Sequence, residues 1–443
     1  MLMRTSAITR RQLLAAAAAA PLLEAAQRPN IVFLYSDDHH YQCLGAAGNP
    51  HIRTPNLDRL AGRGVYFTNG IISTAQCCPS RGIFLSGQET FQSGLLSNGA
   101  TRFREGQGPT VVEQLRRGGY ETALVGKWHV TPTPAECGFT HAPLWLRGGA
   151  SEYRNPRLRR GLDGTDEVVD GHITDLLSDA AIGYLKGARR PFLLWLAYNA
   201  PHTPWYADGK YRSHYEGKDP RAIAPPGHPP GGRDFDWITY YSVITHLDEG
   251  VGRVVGALDQ AGLWKNTVVF FIGDNGFMCG TKGLSGKVVP WEESIRVPFL
   301  AAGGAVKRGV RSDAAVASVD VPATWMELAG VEPVYRLTGR SLRDCLRKGK
   351  GNPEVAFSTW VDGRPEALAV RQRVEPYRLA RGKRYKYVLW ESRKQALYDW
   401  QADPGEESNL IDNPHQDAVV KELRSKLMAR MEETNDPARS WIS

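Results

Sequence analysis

The chain has 443 residues, of which 42% are hydrophobic and 23% are charged. This composition excludes an intrinsically disordered chain, and the length allows two domains or one large domain with an appendage. The formal net charge of +8 suits an anionic substrate without requiring one. Because no basic run carries interleaved aromatic residues, nucleic acid is not an expected partner.

Residues 1–26 have the pattern of an export signal. Arg10-Arg11 precede Leu13-Leu14, and an alanine run from Ala15 to Ala20 follows. The apolar run is too short to span a bilayer, and no cysteine follows it, so we expect no stable membrane anchor. The paired arginines resemble a twin-arginine signal, which predicts export by that machinery to the periplasm or the exterior. A helical N-terminal tail is the alternative.

Three continuous apolar runs predict strands that are buried on both faces: Ile31–Tyr35, Phe192–Ala197 and Val268–Ile272. Between them, amphipathic segments predict helices, including 173–185 and 237–260. Within the second of these helices, Asp248 and Glu249 are expected on the polar face. Alternating strands and helices of this kind predict an α/β fold whose sites lie at strand ends.

Oxygen-bearing side chains follow two of these strands. Asp37 and Asp38 follow the first, and Asp274 and Asn275 follow the third. Adjacent buried carboxylates are unfavourable unless they are paired or bound to a metal. An all-oxygen set suits Ca²⁺ or Mg²⁺ and not zinc. For the first pair, a solvated turn is the alternative.

The segment from Cys77 to Gly87 predicts a reactive position at the start of a helix. Pro79 suits a first helical turn, and the apolar residues that follow continue a helical pattern. Cys77 would then lie where unpaired N–H groups and the helix dipole favour an anion. Arg81 adds a planar cation suited to an oxyanion. A buried cysteine in an ordinary helix entry is the alternative.

The other four cysteines do not indicate a disulfide framework or a zinc knuckle, because the chain is long and contains no C-x-x-C pair. They are interpreted as buried small apolar residues: Cys43, Cys137, Cys279 and Cys345. The sequence does not decide whether two of these four cysteines form a disulfide.

Residues 131–170 are rich in Pro, Gly and Arg and show little periodicity. We expect a long surface excursion around the mouth of the site, where loops usually carry specificity. Its arginines would either contact an acidic substrate or form a solvated basic loop: Arg147, Arg154, Arg157, Arg159 and Arg160.

Several segments resemble motifs of the sulfatase family, in the family's order. These are Asp37-Asp38, Cys77-Cys78-Pro79-Ser80-Arg81, Gly126-Lys127-Trp128-His129, Ala200-Pro201-His202-Thr203-Pro204, Gly273-Asp274-Asn275-Gly276 and Gly286-Lys287 with Val297-Pro298. The resemblance implies an alkaline-phosphatase-like α/β/α sandwich with a mostly parallel central sheet and a small C-terminal α+β subdomain. It implies a catalytic domain over 28–346 and, over 354–443, a subdomain with a small antiparallel sheet and a terminal helix.

The same resemblance implies a chemistry. Cys77 would be oxidised to formylglycine by a formylglycine-generating enzyme, and the hydrate of that aldehyde would be the nucleophile. One divalent metal is implied, Ca²⁺ first and Mg²⁺ second, with the ligands Asp37, Asp38, Cys77, Asp274 and Asn275. The implied catalytic residues are Cys77, Arg81, Lys127, His129, His202 and Lys287. Taken alone, Lys127, His129 and His202 would more often be surface or core residues.

The implied reaction is hydrolysis of a sulfate ester on a sulfated glycan, another sulfated small molecule or an aryl ester. A phosphonate or phosphate ester hydrolase of the same superfamily is one alternative, and a non-catalytic exported glycan-binding protein is the other. One position departs from the family pattern. Lys282 stands five residues before Lys287, where many members carry histidine. Detailed substrate contacts are therefore not carried over.

Overall fold

A computed structural model describes residues 28–99, 102–189, 191–228, 234–351, 353–361 and 374–442. The predicted export signal at 1–26 lies outside these residues. The strands are β1 Asn30–Ser36, β2 Gly64–Phe67, β3 Glu121–Lys127, β4 Trp145–Leu146, β5 Arg157–Leu158, β6 Glu167–Val168, β7 Phe192–Ala197, β8 Thr267–Gly273, β9 Phe299–Ala302, β10 Val310–Ser312, β11 Val355–Trp360, β12 Tyr377–Gly382, β13 Tyr385–Trp390 and β14 Gln395–Asp399.

The helices alternate with these strands along most of the chain. They are α1 Pro55–Gly62, α2 Cys77–Ser86, α3 Thr90–Ser93, α4 Val111–Arg117, α5 Ile173–Gly187, α6 Gly209–Arg212, α7 Trp237–Gln260, α8 Glu292–Ile295, α9 Asp320–Ala329, α10 Arg343–Lys348 and α11 Asp417–Glu433. Short 3₁₀ turns lie at Gly45–Ala47, Trp264–Asn266, Thr281–Gly283, Pro414–Gln416 and Pro437–Trp441.

The central sheet has eight strands in the order β10-β2-β9-β8-β1-β7-β3-β4. Within this sheet β9 is antiparallel to both neighbours, and the other pairs are parallel. Alternate residues of β1 enter different cores: Phe33 and Tyr35 pack on one face, while Val32 and Leu34 pack on the other. The continuous apolar runs are therefore buried on both faces, as their sequences predict.

Helices cover both faces of this sheet. Apolar residues of α2, α4 and α9 pack on the face that carries Phe33. Apolar residues of α1, α5 and α7 pack on the opposite face. The resulting α/β/α sandwich with a mostly parallel sheet confirms the predicted fold class.

A second sheet, β11-β12-β13-β14, is antiparallel and belongs to the C-terminal part of the chain. Helix α11 packs on it through Leu423, Leu427 and Met431. The predicted small C-terminal sheet is confirmed, whereas the domain boundary between 346 and 354 stays a prediction.

The C-terminal sheet is joined to α8 by a buried group of ionic side chains, here called the interface cluster: Glu292, Arg381, Lys386 and Glu406. The Arg381 guanidinium donates to both oxygens of Glu292, at 2.8 and 2.7 Å. Lys386 ion-pairs with both Glu292 and Glu406. A bidentate pair of this kind fixes orientation as well as distance, so the sheet is held in one position against α8.

Two expectations about individual segments were wrong in part. Within residues 131–170, Trp145–Leu146 forms β4 at the edge of the central sheet, and Trp145 is buried. Asp248 does not lie on a polar face but is buried, and it accepts the backbone N–H groups of Asn56 and Leu57 at 2.7–3.1 Å. It satisfies unpaired donors at the start of α1, 192 positions away in the chain.

The structure also bears on disulfides and on membrane crossing. All six cysteines are free, and each is buried. Among the residues that the structure describes, no helix is both long and apolar enough to cross a bilayer.

Candidate active site

Four adjacent parallel strands, β8-β1-β7-β3, bring the candidate residues to one edge of the central sheet. Asp37 and Asp38 follow β1, while Asp274 and Asn275 follow β8. Lys127 is the last residue of β3. Because the strands are parallel, their carboxyl ends meet at this edge, as the sequence predicts.

Lys127 is held in place by a close approach of β3 to β7. At Gly126, whose φ is +95°, a Cβ would lie 1.9 Å from the carbonyl oxygen of Ala197. Only glycine fits that position, so the two backbones come together directly before Lys127. The lysine side chain enters the site and is fully buried.

Helix α2 places the cysteine. Cys77 is its first residue, and the hydroxyls of Ser80 and Tyr35 share a 2.6 Å hydrogen bond that fixes the helix against β1. Arg81, one turn further, donates to the Lys127 carbonyl at 2.6 Å. The backbone N–H of Val288 donates to the carbonyl of Ala75, which brings the neighbouring Lys287 to the start of the helix.

These residues form one buried group, here called the strand-end cluster: Asp37, Asp38, Cys77, Arg81, Lys127, Asp274, Asn275 and Lys287. The Lys287 ammonium lies 2.9 Å from the Cys77 sulfur, and Asp37 Oδ1 lies 3.6 Å from it. Lys127 ion-pairs with Asp37, and Lys287 ion-pairs with Asp38. Arg81 lies 3.4 Å from Asp274 and 3.6 Å from Asp37.

The pKa values of the acidic groups in the cluster are shifted in different directions. Burial, followed by the Asp37 carboxylate, raises the pKa of the Cys77 thiol to about 12. Burial, followed by repulsion from Asp37, raises the pKa of Asp274 to about 7. Burial opposes ionisation of Asp37 as well, but the Lys127 ammonium, then His202 and Lys287, hold its pKa below the ordinary value. Such opposed shifts are typical of functional sites.

The donor set fits a hard divalent cation. The side-chain oxygens of Asp37, Asp38 and Asp274 converge within 4.8 Å of one another. The amide nitrogen of Asn275 donates to Asp38 and to Gly276, while its buried Oδ1 has no hydrogen-bond partner within the described residues. A buried carbonyl oxygen beside three carboxylates is an unused ligand that suits Ca²⁺ or Mg²⁺.

Two histidines flank the cluster. His202 Nε2 lies 3.8 Å from Asp38 Oδ2. Burial, and then the Lys127 charge, lower the pKa of His129 to about 2. The buried Nδ1 of His129 has no hydrogen-bond partner within the described residues. The structure therefore brings all six predicted catalytic residues to one region, with His129 and His202 at its rim.

Two tyrosines support the site and were missed in the sequence. Tyr240 of α7 donates to the Asp38 carbonyl at 2.5 Å and accepts the N–H of His40. Tyr153 donates to the His202 carbonyl at 2.8 Å. Their partners are distant in sequence, so no local pattern points to either role. Both act on backbone positions and thus help to orient Asp38 of the strand-end cluster and His202 at its rim.

Lys282, the departure from the family pattern, has a structural role. Its ammonium donates to the Glu406 carbonyl at 3.0 Å and to the Glu407 carboxylate at 3.1 Å. It also lies over the Trp291 ring. Lys282 thus contacts the C-terminal part of the chain beside the interface cluster.

Comparison with known proteins identifies the family of this chain. A family model described as sulfatase matches residues 29–331, and a second, described as N-sulphoglucosamine sulphohydrolase, C-terminal, matches residues 280–433. The chain belongs to the sulfatase family. The predicted enzyme class, a sulfatase, is therefore confirmed.

Relatives of this sulfatase match it over nearly its whole length. An ulvan-active sulfatase of Formosa agariphila is 28% identical, over 93% of this chain and 83% of the relative. An N-acetylglucosamine-6-O-sulfatase of Bacteroides thetaiotaomicron is 27% identical, over 94% and 89%. A protein solved in complex with its substrate D-glucosamine-2-N,6-O-disulfate superposes with a TM-score of 0.82 at 25% identity, covering 93% of this chain and 99% of that one.

Proposed function

We propose that this sulfatase hydrolyses a sulfate ester on a sulfated glycan, through a formylglycine at position 77 and a divalent metal. The observation that carries the proposal is the convergence on Cys77 of an ammonium at 2.9 Å and a carboxylate at 3.6 Å inside one buried cluster. The glycan class is taken from the named substrates of the relatives. An aryl sulfate ester is the simplest substrate on which the same chemistry can be measured.

The electrostatics of the site support conversion of Cys77. A thiol with a pKa near 12 stays protonated at neutral pH and is a poor nucleophile. We propose that a separate formylglycine-generating enzyme, with an oxidant that it supplies, oxidises the Cβ of this residue by two electrons and releases the sulfur as sulfide. Water then adds to the resulting aldehyde, and a hydroxyl of the hydrate supplies an oxygen nucleophile. The Lys287 ammonium beside position 77 would then donate to an oxygen in place of the sulfur.

A divalent metal would be held by oxygen ligands of the strand-end cluster, with Ca²⁺ as the first candidate and Mg²⁺ as the second. Its proposed ligands are Asp37, Asp38, Asp274, Asn275 and the converted residue 77. When bound, it supplies positive charge that stabilises oxyanions near the nucleophile. Two observations support this assignment. The buried Oδ1 of Asn275 is free to coordinate a cation, and the charge of that cation would lower the raised pKa of Asp274.

We propose that the remaining residues of the site stabilise the negative charge of the sulfate group. The cations Arg81, Lys127 and Lys287 face three carboxylates within the cluster. We propose that Arg81 orients the converted residue and the sulfate, and that Lys127, Lys287 and His202 stabilise charge on the transferred group or protonate the leaving oxygen. His129 would hold the hydrate and assist release of sulfate.

The first test is mass spectrometry of the tryptic peptide Gly64–Arg81 from protein made in its native host. We expect the aldehyde at position 77 and an unmodified thiol at Cys78. A thiol at both positions in active protein would contradict the formylglycine proposal. A binding role would become the better account if the protein released no sulfate.

The second test compares sulfate and phosphate esters of the same aryl alcohol. We expect kcat/KM for the sulfate ester to exceed that for the phosphate ester. The reverse order would favour a phosphonate or phosphate ester hydrolase, because both activities draw on the same charge-stabilising cluster. A sulfated oligosaccharide then tests the glycan class directly.

We also propose that the enzyme is exported to the periplasm or the exterior by the twin-arginine machinery. The support is the sequence of residues 1–26, with Arg10-Arg11 before the apolar run. Replacing both arginines by lysine should retain the enzyme in the cytoplasm, as cell fractionation would measure. Export of the lysine variant at the wild-type level would contradict the assignment.

A further inference from the structure

A cavity of about 460 Å³ opens beside His129. It is built by the loop after β3, by the end of β4 and by the two-stranded ribbon β5–β6. Its lining includes His129, Thr131, Leu146, Arg147, Arg157 and Asp166. The volume lies within the range of small-molecule sites. The cavity is therefore large enough to accept part of a substrate that extends away from the strand-end cluster.

The cavity and the strand-end cluster meet at His129. The backbone N–H of His129 donates to the Arg147 carbonyl at 3.2 Å, which places these residues side by side. The charges of Lys127 and Arg81 contribute to the lowered pKa of His129, so its ring lies within the field of the cluster. A substrate with its sulfate at the cluster would thus have its next groups close to Arg147.

Most arginines of this region already have carboxylate partners. Arg159 holds Asp166 in a bidentate pair, at 2.7 and 3.1 Å. Arg160 donates to Glu167 at 2.6 Å, outside the cavity lining. The acidic residue in the cavity wall is therefore neutralised by a neighbour.

Arg147 and Arg157 differ from these residues. Both are exposed and line the cavity, and neither makes an ion pair within the part of the chain that the structure describes. With Asp166 engaged by Arg159, the cavity carries an excess of positive charge. A planar guanidinium can form two parallel hydrogen bonds to a carboxylate or a sulfate.

We propose that Arg147 and Arg157 bind a second anionic group of the glycan substrate, either a carboxylate or a further sulfate. They thereby make the enzyme selective for sugars that carry two negative groups. This inference rests on the proposed function, because it places the reacting sulfate in the strand-end cluster. Arg147 and Arg157 are specificity residues in this arrangement and do not touch the reacting atoms.

The test compares kcat/KM of one enzyme preparation on three matched disaccharides. One carries a single sulfate, the second carries an additional sulfate, and the third carries an additional uronic carboxylate. In the wild-type enzyme we expect a preference for at least one doubly charged sugar, and the preferred one identifies the group. For each enzyme we take the ratio of kcat/KM on the doubly charged sugar to kcat/KM on the singly charged sugar, here called the substrate ratio. In Arg147→Ala and Arg157→Ala, we expect this ratio to fall about tenfold, mainly because KM for the doubly charged sugar rises.

The matched control is Arg160→Ala. Arg160 follows β5 by two residues and carries the same charge, but it is paired with Glu167 and does not line the cavity. We expect its substrate ratio to equal that of the wild-type enzyme. Arg147→Lys should recover part of the lost ratio, because it restores the charge without the planar fork.

Two results would overturn the inference. One is a substrate ratio that is unchanged in Arg147→Ala and Arg157→Ala, which would make the arginines a solvated basic loop. The other is an equal fall in Arg160→Ala, which would indicate a general effect of surface charge. Failure of the proposed function looks different, because then the wild-type enzyme releases sulfate from none of these sugars or from the aryl ester.

Discussion

The strand-end cluster and the interface cluster are both buried groups of acids and bases, yet Asp274 in the first and Glu292 in the second have pKa values shifted in opposite directions. Burial and the neighbouring Asp37 raise the pKa of Asp274 to about 7. Burial would also raise the pKa of Glu292, but Arg381 and then Lys386 lower it to about 2. Each cluster also holds a carboxylate whose pKa is shifted the other way, since the pKa of Asp37 is lowered and burial raises that of Glu406. What differs is the pairing: Glu292 is held by a bidentate guanidinium, whereas the nearest cation to Asp274 lies at 3.4 Å.

The hydrogen bonding of the two clusters supports the same distinction. Both oxygens of Glu292 accept from the Arg381 guanidinium, whereas the buried Oδ1 of Asn275 has no partner within the described residues. A buried cluster that leaves a ligand atom without a hydrogen bond and raises the pKa of a carboxylate is suited to bind a cation. Changes in the strand-end cluster should therefore act on activity, and changes in the interface cluster on stability.

The largest effect is expected for Cys77→Ala. Loss of the proposed nucleophile should lower kcat for an aryl sulfate by about 10⁴-fold or more, because the proposed mechanism gives this role to no other group of the cluster. The measurement is steady-state hydrolysis with purified protein. Cys78→Ala is the matched control, since Cys78 is equally buried, is the next residue of α2 and packs in the hydrophobic core on the face of Phe33. Activity of Cys77→Ala within tenfold of the wild-type enzyme would contradict the proposed mechanism.

Removal of the metal should have the next largest effect. After treatment with a chelator, we expect activity to fall by about 100-fold or more and to return on addition of Ca²⁺. The melting temperature should fall with the metal, because a bound cation stabilises only the folded state. Asn275→Ala should require more Ca²⁺ for the same recovery. Full activity after treatment with the chelator would contradict the proposed role of the metal.

Arg381→Met should destabilise the protein by about 3–5 kcal/mol, because it removes the bidentate partner of the buried Glu292 and leaves this carboxylate only the longer pairs to Lys386 and Arg296. Chemical denaturation measures the free energy of unfolding, and kcat of the remaining folded enzyme should stay near the wild-type value. The double variant Arg381→Met with Glu292→Gln should recover part of the loss. A large fall in kcat without a fall in stability would break the distinction between the two clusters.

Asp248 tests whether a raised pKa is enough to mark a functional carboxylate. Burial raises its pKa to about 6, from an ordinary value of 3.8, although it only receives hydrogen bonds at the start of α1. The folded state therefore binds the proton more tightly, and stability should be lost as the pH rises from about 4 through 6.

Asp248→Asn keeps the accepting oxygen but cannot ionise. Between pH 4 and pH 7, we expect this variant to lose about 1–2 kcal/mol less of its free energy of unfolding than the wild-type enzyme. Denaturation curves at both pH values measure the difference, and kcat should be unaffected. Equal pH dependence in the two proteins would refute the role of Asp248.

The sequence predicted that the candidate residues lie together because they follow strand ends. Asp37 and Asp274 stand directly after apolar runs, and parallel strands bring such positions together without any knowledge of side-chain packing. The helix at Cys77 could be recognised for a similar reason, since Pro79 marks a first turn. The central sheet was predictable because runs such as Ile31–Tyr35 have a continuous apolar pattern.

The features that could not be predicted from the sequence depend on contacts between distant segments. Asp248 was expected on a polar face because helical periodicity says nothing about a helix start 192 positions away. The two-residue strand β4 is defined by its pairing with β3 and by a bridge to Arg159, and no pattern in a stretch rich in Pro, Gly and Arg indicates it. Tyr153 and Tyr240 act on backbone carbonyls, which carry no signal in the sequence.

The burial of Cys77 has a consequence for the order of events during synthesis. Only 1% of this residue is exposed in the folded chain, and Lys287, more than 200 positions later, lies against its sulfur. In the folded chain the thiol is therefore closed to contact with a second protein. The proposed oxidation of Cys77 would therefore have to precede the folding of the segment bearing Lys287 over α2, and a chain that folded first would keep its thiol.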